Sequence, residues 1–383
     1  MKIISIEPTP SPNTMKLTLN TTLPSGTSNN YSLKNKDEAP EMIQTLFDIE
    51  GIKGVYHVAD FMAVERHSKV DWKVILPQVR AAFGEENTDS SSAATEKEEA
   101  FGEVQIQLQT FKGIPMQLKL VAGEEEKREG LPTRFQDAAF KAQKDDDNIV
   151  MERQWVDHGV RYGNDLDAIG KEVAEEVDAA YSNERLDRLV NKAQHGKNEE
   201  TQDQPRYIKV TAEMLDDPDW RNRYAALEQM DPSEDDLPVL EKALHDEKAS
   251  VRRQAVVCIG MVEKPLILPL LRQALQDKSV TVRRTAGDCF SDLGDKAGVP
   301  AMVEALKDSS KLVRWRAAMF LYEVGDETAV DALREAADDP EFEVAMQAKM
   351  ALERIEGGEE AKGSVWKQMT DMLEEKKKAK KNN

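Results

Sequence analysis

The residues that most constrain this chain recur every 31 positions. Val251, Val282, Val313 and Val344 share that spacing, as do Ala255, Ala286, Ala317 and Ala348, and Leu240, Leu271, Met302 and Leu333. A fourth apolar column runs through Val262, Leu293, Val324 and Ile355. A unit of this length cannot bury its apolar face alone, so successive units must stack into a helical solenoid with an extended concave surface. Such arrays bind along their length, which points to a scaffold or adaptor and away from an enzyme.

Each unit reads as helix A, a turn and helix B. Helix A carries Leu237, Leu240 and Leu244, then Ile267, Leu271 and Leu275 in the next unit. Asp246, Asp277, Asp308 and Asp339 follow helix A, where a carboxylate accepts turn N–H groups and favours the start of helix B. Helix B reads Val-Arg-x-x-Ala, its small alanine letting neighbouring helices approach closely. An imperfect earlier unit at Asp217–Leu227 brings the array to about five units.

Two arginine columns emerge. Arg252, Arg283 and Arg314 are expected to pair with the turn aspartates and organise the stack. Arg253 and Arg284 continue as Trp315, on the face of helix B opposite Val251, Ala255, Cys258 and Ile259. With the nearby surface positions Gly260, Ser291 and Tyr322, that face lies off the core of its own unit, either open or covered by the middle domain. Arg253, Arg284, Trp315 and Tyr322 are therefore the candidate partner-binding residues, being types that anchor interfaces. The same arginines could equally stack on the tryptophan without any partner. Cys258 and Cys289 hold equivalent core positions one repeat apart; that is about 10 Å for packed helices, too far for a disulfide.

The 383 residues exceed what one core organises, so several domains are expected. A formal net charge of −20 disfavours nucleic-acid partners. No apolar run is long enough to span a membrane, the N-terminus lacks a secretory pattern, and two cysteines fit a reducing compartment. A cytoplasmic protein is expected. Polar stretches at 85–100 and 196–205 read as flexible linkers, because they cannot bury enough surface to offset ordering entropy. They delimit an α+β domain at 1–84, a small α+β middle domain at 101–195 and the all-α array at 206–358. Residues 359–383 read as a capping helix through Val365, Trp366, Met369, Met372 and Leu373, followed by a solvated lysine-rich tail.

In the first domain, Ile3 to Ile6 and Met15 to Leu19 read as strands and Asp37 to Asp48 as a helix. Val55 to Val64 reads as a hairpin across Ala59-Asp60, and a further helix is capped by Asp71. The middle domain opens with a hairpin through Val104, Ile106, Leu108, then Met116, Leu118 and Leu120. Helices follow, one capped by Thr133 and carrying Phe135, Ala138, Ala139 and Phe140, others near Leu166 to Tyr181 and Leu186 to Val190.

The segments EPTPSPNTMKL (7–17), GIKGVYHVADFMAVER (51–66) and DWKVILPQVRAAF (71–83) resemble the N-terminal domain of Nfu-type iron–sulfur scaffold proteins. The Cys-x-x-Cys pair that carries the cluster in that family is absent, so the resemblance implies the fold and a docking role without a cluster. The repeats resemble the HEAT-like type named for phycobiliprotein lyases. The whole order, with the LPTRFQDAAFKA segment between, is similar to the conserved virulence factor C family. That resemblance implies an indirect influence on virulence or stress physiology.

No phosphate loop, nucleophile elbow or HExxH occurs. None of His57, His67, His158, His195 and His245 precedes a glutamate, which removes the di-iron arrangement of HEAT-like deoxyhypusine hydroxylases. No catalytic residue, cofactor or metal site is assigned. The expectation is a non-enzymatic scaffold with protein partners, its oligomeric state open. The alternatives are an accessory factor in iron–sulfur cluster assembly or delivery, and a lyase-like enzyme acting on a tetrapyrrole.

Overall fold

The computed structural model of the chain describes residues 1–9, 11, 13–24, 27–67, 70–84, 102–123, 125–195 and 207–358. The expected linkers at 85–100 and 196–205, and the expected capping helix and tail at 359–383, lie outside the described residues. The chain is multidomain, with two antiparallel sheets followed by helical repeats. It divides into two compact units, Met1–Glu103 with Ala317–Asn383, and Val104–Arg316.

The first unit begins with β1 (Ile3–Pro8), β2 (Thr14–Leu19), β3 (Ser28–Ser32), α1 (Glu41–Phe47), β4 (Ile52–Val58), β5 (Phe61–Arg66) and α2 (Trp72–Ala82). The strands form one sheet in the order β1-β2-β5-β4-β3. Period-two alternation puts Leu17, Val55, Met62 and Val64 on one face, where Ile43, Leu46, Trp72, Ile75 and Val79 of the two helices close over them. The β4–β5 hairpin turns at Ala59-Asp60 with Val58 opposite Phe61. The Asp71 carboxylate caps α2 by accepting from Lys73 N. The helix expected from Asp37 is divided: a 3-10 turn covers Lys36–Glu38, Ala39 is extended, and α1 starts only after Pro40. Proline disfavours a helical residue before it, which accounts for the break.

The second unit opens with β6 (Glu103–Phe111), β7 (Ile114–Ala122), β8 (Glu125–Gly130), α3 (Thr133–Ala142), α4 (Ile149–Glu152), β9 (Gln154–Tyr162), α5 (Leu166–Ala180) and α6 (Asn183–His195). Its sheet runs β8-β7-β6-β9. Ile106, Leu108, Leu118 and Leu120 meet Phe135, Ile169, Val173, Val177 and Leu186 in a core built from this domain alone. Lys112 and Gly113 both take positive φ, 50° and 81°, as a tight two-residue hairpin needs. Two expectations are corrected. Pro132, not Thr133, precedes α3, with no side-chain cap, and Phe140 is 66% exposed. Phe140 lies off the stripe of Phe135, Ala138, Ala139 and Ala142 that α3 buries.

The repeats follow as α7 (Trp220–Glu228), α8 (Leu237–Ala243), α9 (Ala249–Gly260), α10 (Leu268–Ala274), α11 (Val280–Leu293), α12 (Val299–Ala305) and α13 (Lys311–Val324). Proline sits in the first turn of α8, α10 and α12, where its missing N–H has no intrahelical partner to lose. Each turn aspartate accepts the N–H two residues on: Asp246 from Lys248 (2.8 Å), Asp277 from Ser279 (2.7 Å), Asp308 from Ser310 (2.7 Å). The first arginine column then reaches forward one repeat. Arg252 grips Asp277 through Nε (2.6 Å) and Nη2 (2.9 Å), and Arg283 grips Asp308 the same way (2.7 and 2.9 Å). Arg223 holds Asp246 likewise in the imperfect unit. The expected Arg–Asp pairing is thus an inter-repeat staple, while the other end of Arg252 bonds the Asp246 carbonyl of its own turn (2.8 Å).

The first unit is completed by α14 (Val330–Ala336) and α15 (Phe342–Glu356). Phe342 and Met346 of α15 pack against the core of the first domain. Beside them Arg66 Nη2 meets Glu343 Oε1 at 2.7 Å, both buried, with the guanidinium over the Trp72 ring.

Candidate interaction surface

Helix B puts residue 253 one position beyond the ladder arginine, so Arg253 leaves the stack and points across it. The sequence leaves open whether this face is bare or covered by the middle domain; at Arg253 the middle domain covers it. The Arg253 side chain is only 12% exposed and donates through Nη2 to Glu176 Oε2 on α5 at 2.9 Å. Arg161 Nη2 of β9 reaches the same oxygen at 3.0 Å. Glu176 is 1% exposed and lies between two guanidinium groups. Burial alone would raise its pKa, but the charges and hydrogen bonds of Arg253 and Arg161 outweigh it and hold the carboxyl below its usual range.

One repeat on, Arg284 is 7% exposed and donates through Nη2 to Tyr162 Oη at 3.0 Å, its guanidinium 4.5 Å from the ring centroid. Asp288, one turn later on α11, pairs with both Arg284 and Arg316, the latter at 2.7 Å. Trp315 is 2% exposed and Tyr322 half-buried. The expected surface position Ser291 is buried, and Gly260 packs on Cys289, where an added Cβ would lie 2.6 Å from Sγ. The structure thus gives Arg253 and Arg284 matching roles in successive repeats, each holding an element outside the array.

Further contacts flank them. Lys248 Nζ meets Glu175 Oε2 at 3.1 Å while lying over the Trp220 ring, and Arg185 of α6 bonds Glu228 of α7 at 2.6 Å. Tyr224, next to Glu176, has its pKa raised, first by burial and then by that carboxylate. The middle-domain partners Arg161, Tyr162, Glu175 and Glu176 were not identified from the sequence. One signal existed: Glu172 and Glu176 are like charges one turn apart on a helix whose buried stripe is Ile169, Val173 and Val177, an arrangement that calls for a cation.

Cys258 and Cys289 are free and buried, with sulfurs 3.4 and 3.6 Å from the carbonyls of Leu227 and Val256. Burial pushes both thiols up to about 12. Thiolates are what ligate iron, so this pair does not fit a cluster. Among the described residues, no three His, Cys, Asp or Glu side chains are placed to share a metal ion. Nor is any described helix long and apolar enough to cross a membrane.

Comparison with known proteins gives three family matches. The family described as Scaffold protein Nfu/NifU N terminal matches residues 4–90, that described as Virulence factor 109–190, and that described as HEAT repeats 208–287 and 268–353. YpgR, an uncharacterized protein of Bacillus subtilis (strain 168), is 65% identical over 97% of this chain and 98% of its own length. Conserved virulence factor C of Staphylococcus aureus (strain MRSA252) is 53% identical over 97% of this chain and 99% of its own. Among solved structures, the crystal structure of protein SAV1430 from Staphylococcus aureus is 41% identical, covering 22% of this chain and 99% of that one, with a TM-score of 0.21.

Proposed function

Since this chain belongs to the conserved virulence factor C family, we propose that it is a non-enzymatic cytoplasmic scaffold whose repeats bind protein partners, with an indirect effect on virulence or stress physiology. One observation carries this reading. Arg253 and Arg284, successive members of a single column, each grip a protein element from outside the array, Glu176 and Tyr162. A repeating side chain with a repeating binding role is how solenoids recognise extended partners. Trp315 continues the same column by the next 31-residue step. The first domain, seated on α15 through Phe342 and Met346, supplies a second docking module.

In-cell cross-linking of the full chain tests the scaffold. The expected result is partner peptides linked to the repeat helices and lost in an Arg253→Glu, Arg284→Glu variant. A chain that cross-links only to itself under all growth conditions would overturn the reading.

A second reading, an accessory role in iron–sulfur cluster assembly or delivery, is favoured by the match over residues 4–90. The cluster would be cargo, since the two thiols do not suit it as ligands. Deleting the gene would then lower the activity of cluster-containing enzymes, and unchanged activities would remove this reading.

A further inference from the structure

The junction between the middle domain and the first repeats carries a cluster of opposite charges beside the buried Ala179, Ala180 and Tyr224. Helix α5 carries Asp167, Glu172, Glu175, Glu176 and Asp178 against one lysine, Lys171. The repeat surface facing it offers Lys248 to Glu175 and Arg253 to Glu176, with Arg221 3.8 Å from Asp178. Trp220 and Tyr224 line the same surface beside these cations. One pair of reversed polarity, Arg185 of α6 with Glu228 of α7, lies beside them. Among the described residues, no repeat residue belongs to the middle domain's core cluster, so α5 can leave the repeats without exposing that core. The first domain differs, because Phe342 and Met346 tie it to α15 by apolar packing.

We propose that the α7–α9 face is a docking groove for acidic helices, held closed in the resting protein by the chain's own α5. The occupant it fits is a partner helix with carboxylates at i, i+3 and i+4, the spacing of Glu172, Glu175 and Glu176. Such a helix exchanges one set of carboxylates for another, so Arg253 never loses its counter-charge. That removes the large penalty of leaving a buried guanidinium unpaired. The nature of the partner rests on the scaffold reading, whereas the groove and its occupancy by α5 do not.

The test is energy transfer between dyes on Lys141→Cys and Lys296→Cys in the full chain, both positions being exposed. The buried native thiols stay unlabelled. Tethering holds α5 at an effective concentration on the order of millimolar, so a synthetic peptide of residues 166–180 is titrated through that range. The expected result is a saturable loss of transfer with this peptide and none with its Glu172→Gln, Glu175→Gln, Glu176→Gln version. Transfer should also fall at about 1 M salt, where the Debye length is about 3 Å. An Arg253→Glu chain should start low and not respond; if that variant does not fold, the peptide and salt arms on the parent chain still decide. Transfer unmoved by peptide and salt would overturn the proposal. Equal competition by the glutamine peptide would also overturn it, since apolar packing would then hold α5. Failure here with in-cell partners still captured would reject the groove and leave the scaffold standing.

Discussion

Replacing Asp277 with alanine removes one rung of the arginine ladder, and the structure sets the size of the effect. The Arg252 and Asp277 side chains are 4% and 11% exposed and joined by two hydrogen bonds, at 2.6 and 2.9 Å. Burial raises the Asp277 pKa, but the hydrogen bonds from Arg252 and the Ser279 N–H, with the charges of Arg252 and Lys278, hold it below its usual range. In Asp277→Ala the guanidinium keeps the carbonyls of Asp246 and Glu247 and stays buried without its hydrogen-bonded counter-charge, the nearby Asp246 carboxylate being held by Arg223. Breaking a buried pair from one side costs about 3–5 kcal/mol, against about 0.2–1 kcal/mol for an exposed pair. At about 2–4 °C per kcal/mol for a unit of this size, the melting temperature should fall by about 6–20 °C. Arg334, which pairs with Glu356 at 2.7 Å but is 60% exposed, is the control: Arg334→Ala should cost under about 1 kcal/mol. Thermal unfolding followed by circular dichroism reads both, and an Arg252→Leu, Asp277→Leu double variant should recover much of the loss. If Asp277→Ala behaves like Arg334→Ala, the ladder is ornament on a stack held by apolar columns alone.

Three further outcomes follow from single sites. Gly260→Ala puts a Cβ 2.6 Å from Cys289 Sγ and should cost about 1–3 kcal/mol; Cys289→Ala in the same chain should restore most of it, as urea unfolding would show. His57 is buried, its Nε2 has no hydrogen-bond partner among the described residues, and burial lowers its pKa. A histidine with its folded pKa below the unfolded value of about 6.5 leaves stability flat above that pH. It erodes stability as pH falls below about 6.5 toward the folded pKa, so a His57→Leu chain should lose that slope in urea titrations at stepped pH. The thiols of Cys258 and Cys289 should be silent to a thiol reagent in the native protein and both react in denaturant; fast native labelling would contradict their burial.

The elements legible in the sequence are those whose periodicity is carried by apolar residues. The 31-residue columns specify α8 to α15, and Val104 to Leu120 specifies the hairpin of β6 and β7. Strands β3 (SNNYS), β8 (EEKREG) and β9 (QWVDHGVRY) went unread, because each sits at a sheet edge with few apolar residues and no alternation to detect. The same cause hid half of the candidate site. Arg253 and Arg284 stand out because a repeat displays them twice, whereas Glu176 and Tyr162 occur once, outside any repeat. Helical geometry does take Arg253 away from the core of its own unit, but a position off the core is not thereby exposed when another domain is available to cover it.

Whether α5 lies on Arg253 in solution is tested most directly by exchanging the two charges. Glu176→Arg and Arg253→Glu should each lower stability by about 3–5 kcal/mol, since each leaves like charges facing one another in a buried site. In the double variant, the carboxylate at position 253 and the guanidinium at position 176 again form one opposite-charge pair, while Arg161 faces a like charge at 176. Thermal unfolding of the four proteins should therefore show a double variant that loses much less than the sum of the two single losses. Single variants that unfold like the parent, or a double variant whose loss is the sum of the two, would contradict the docked arrangement.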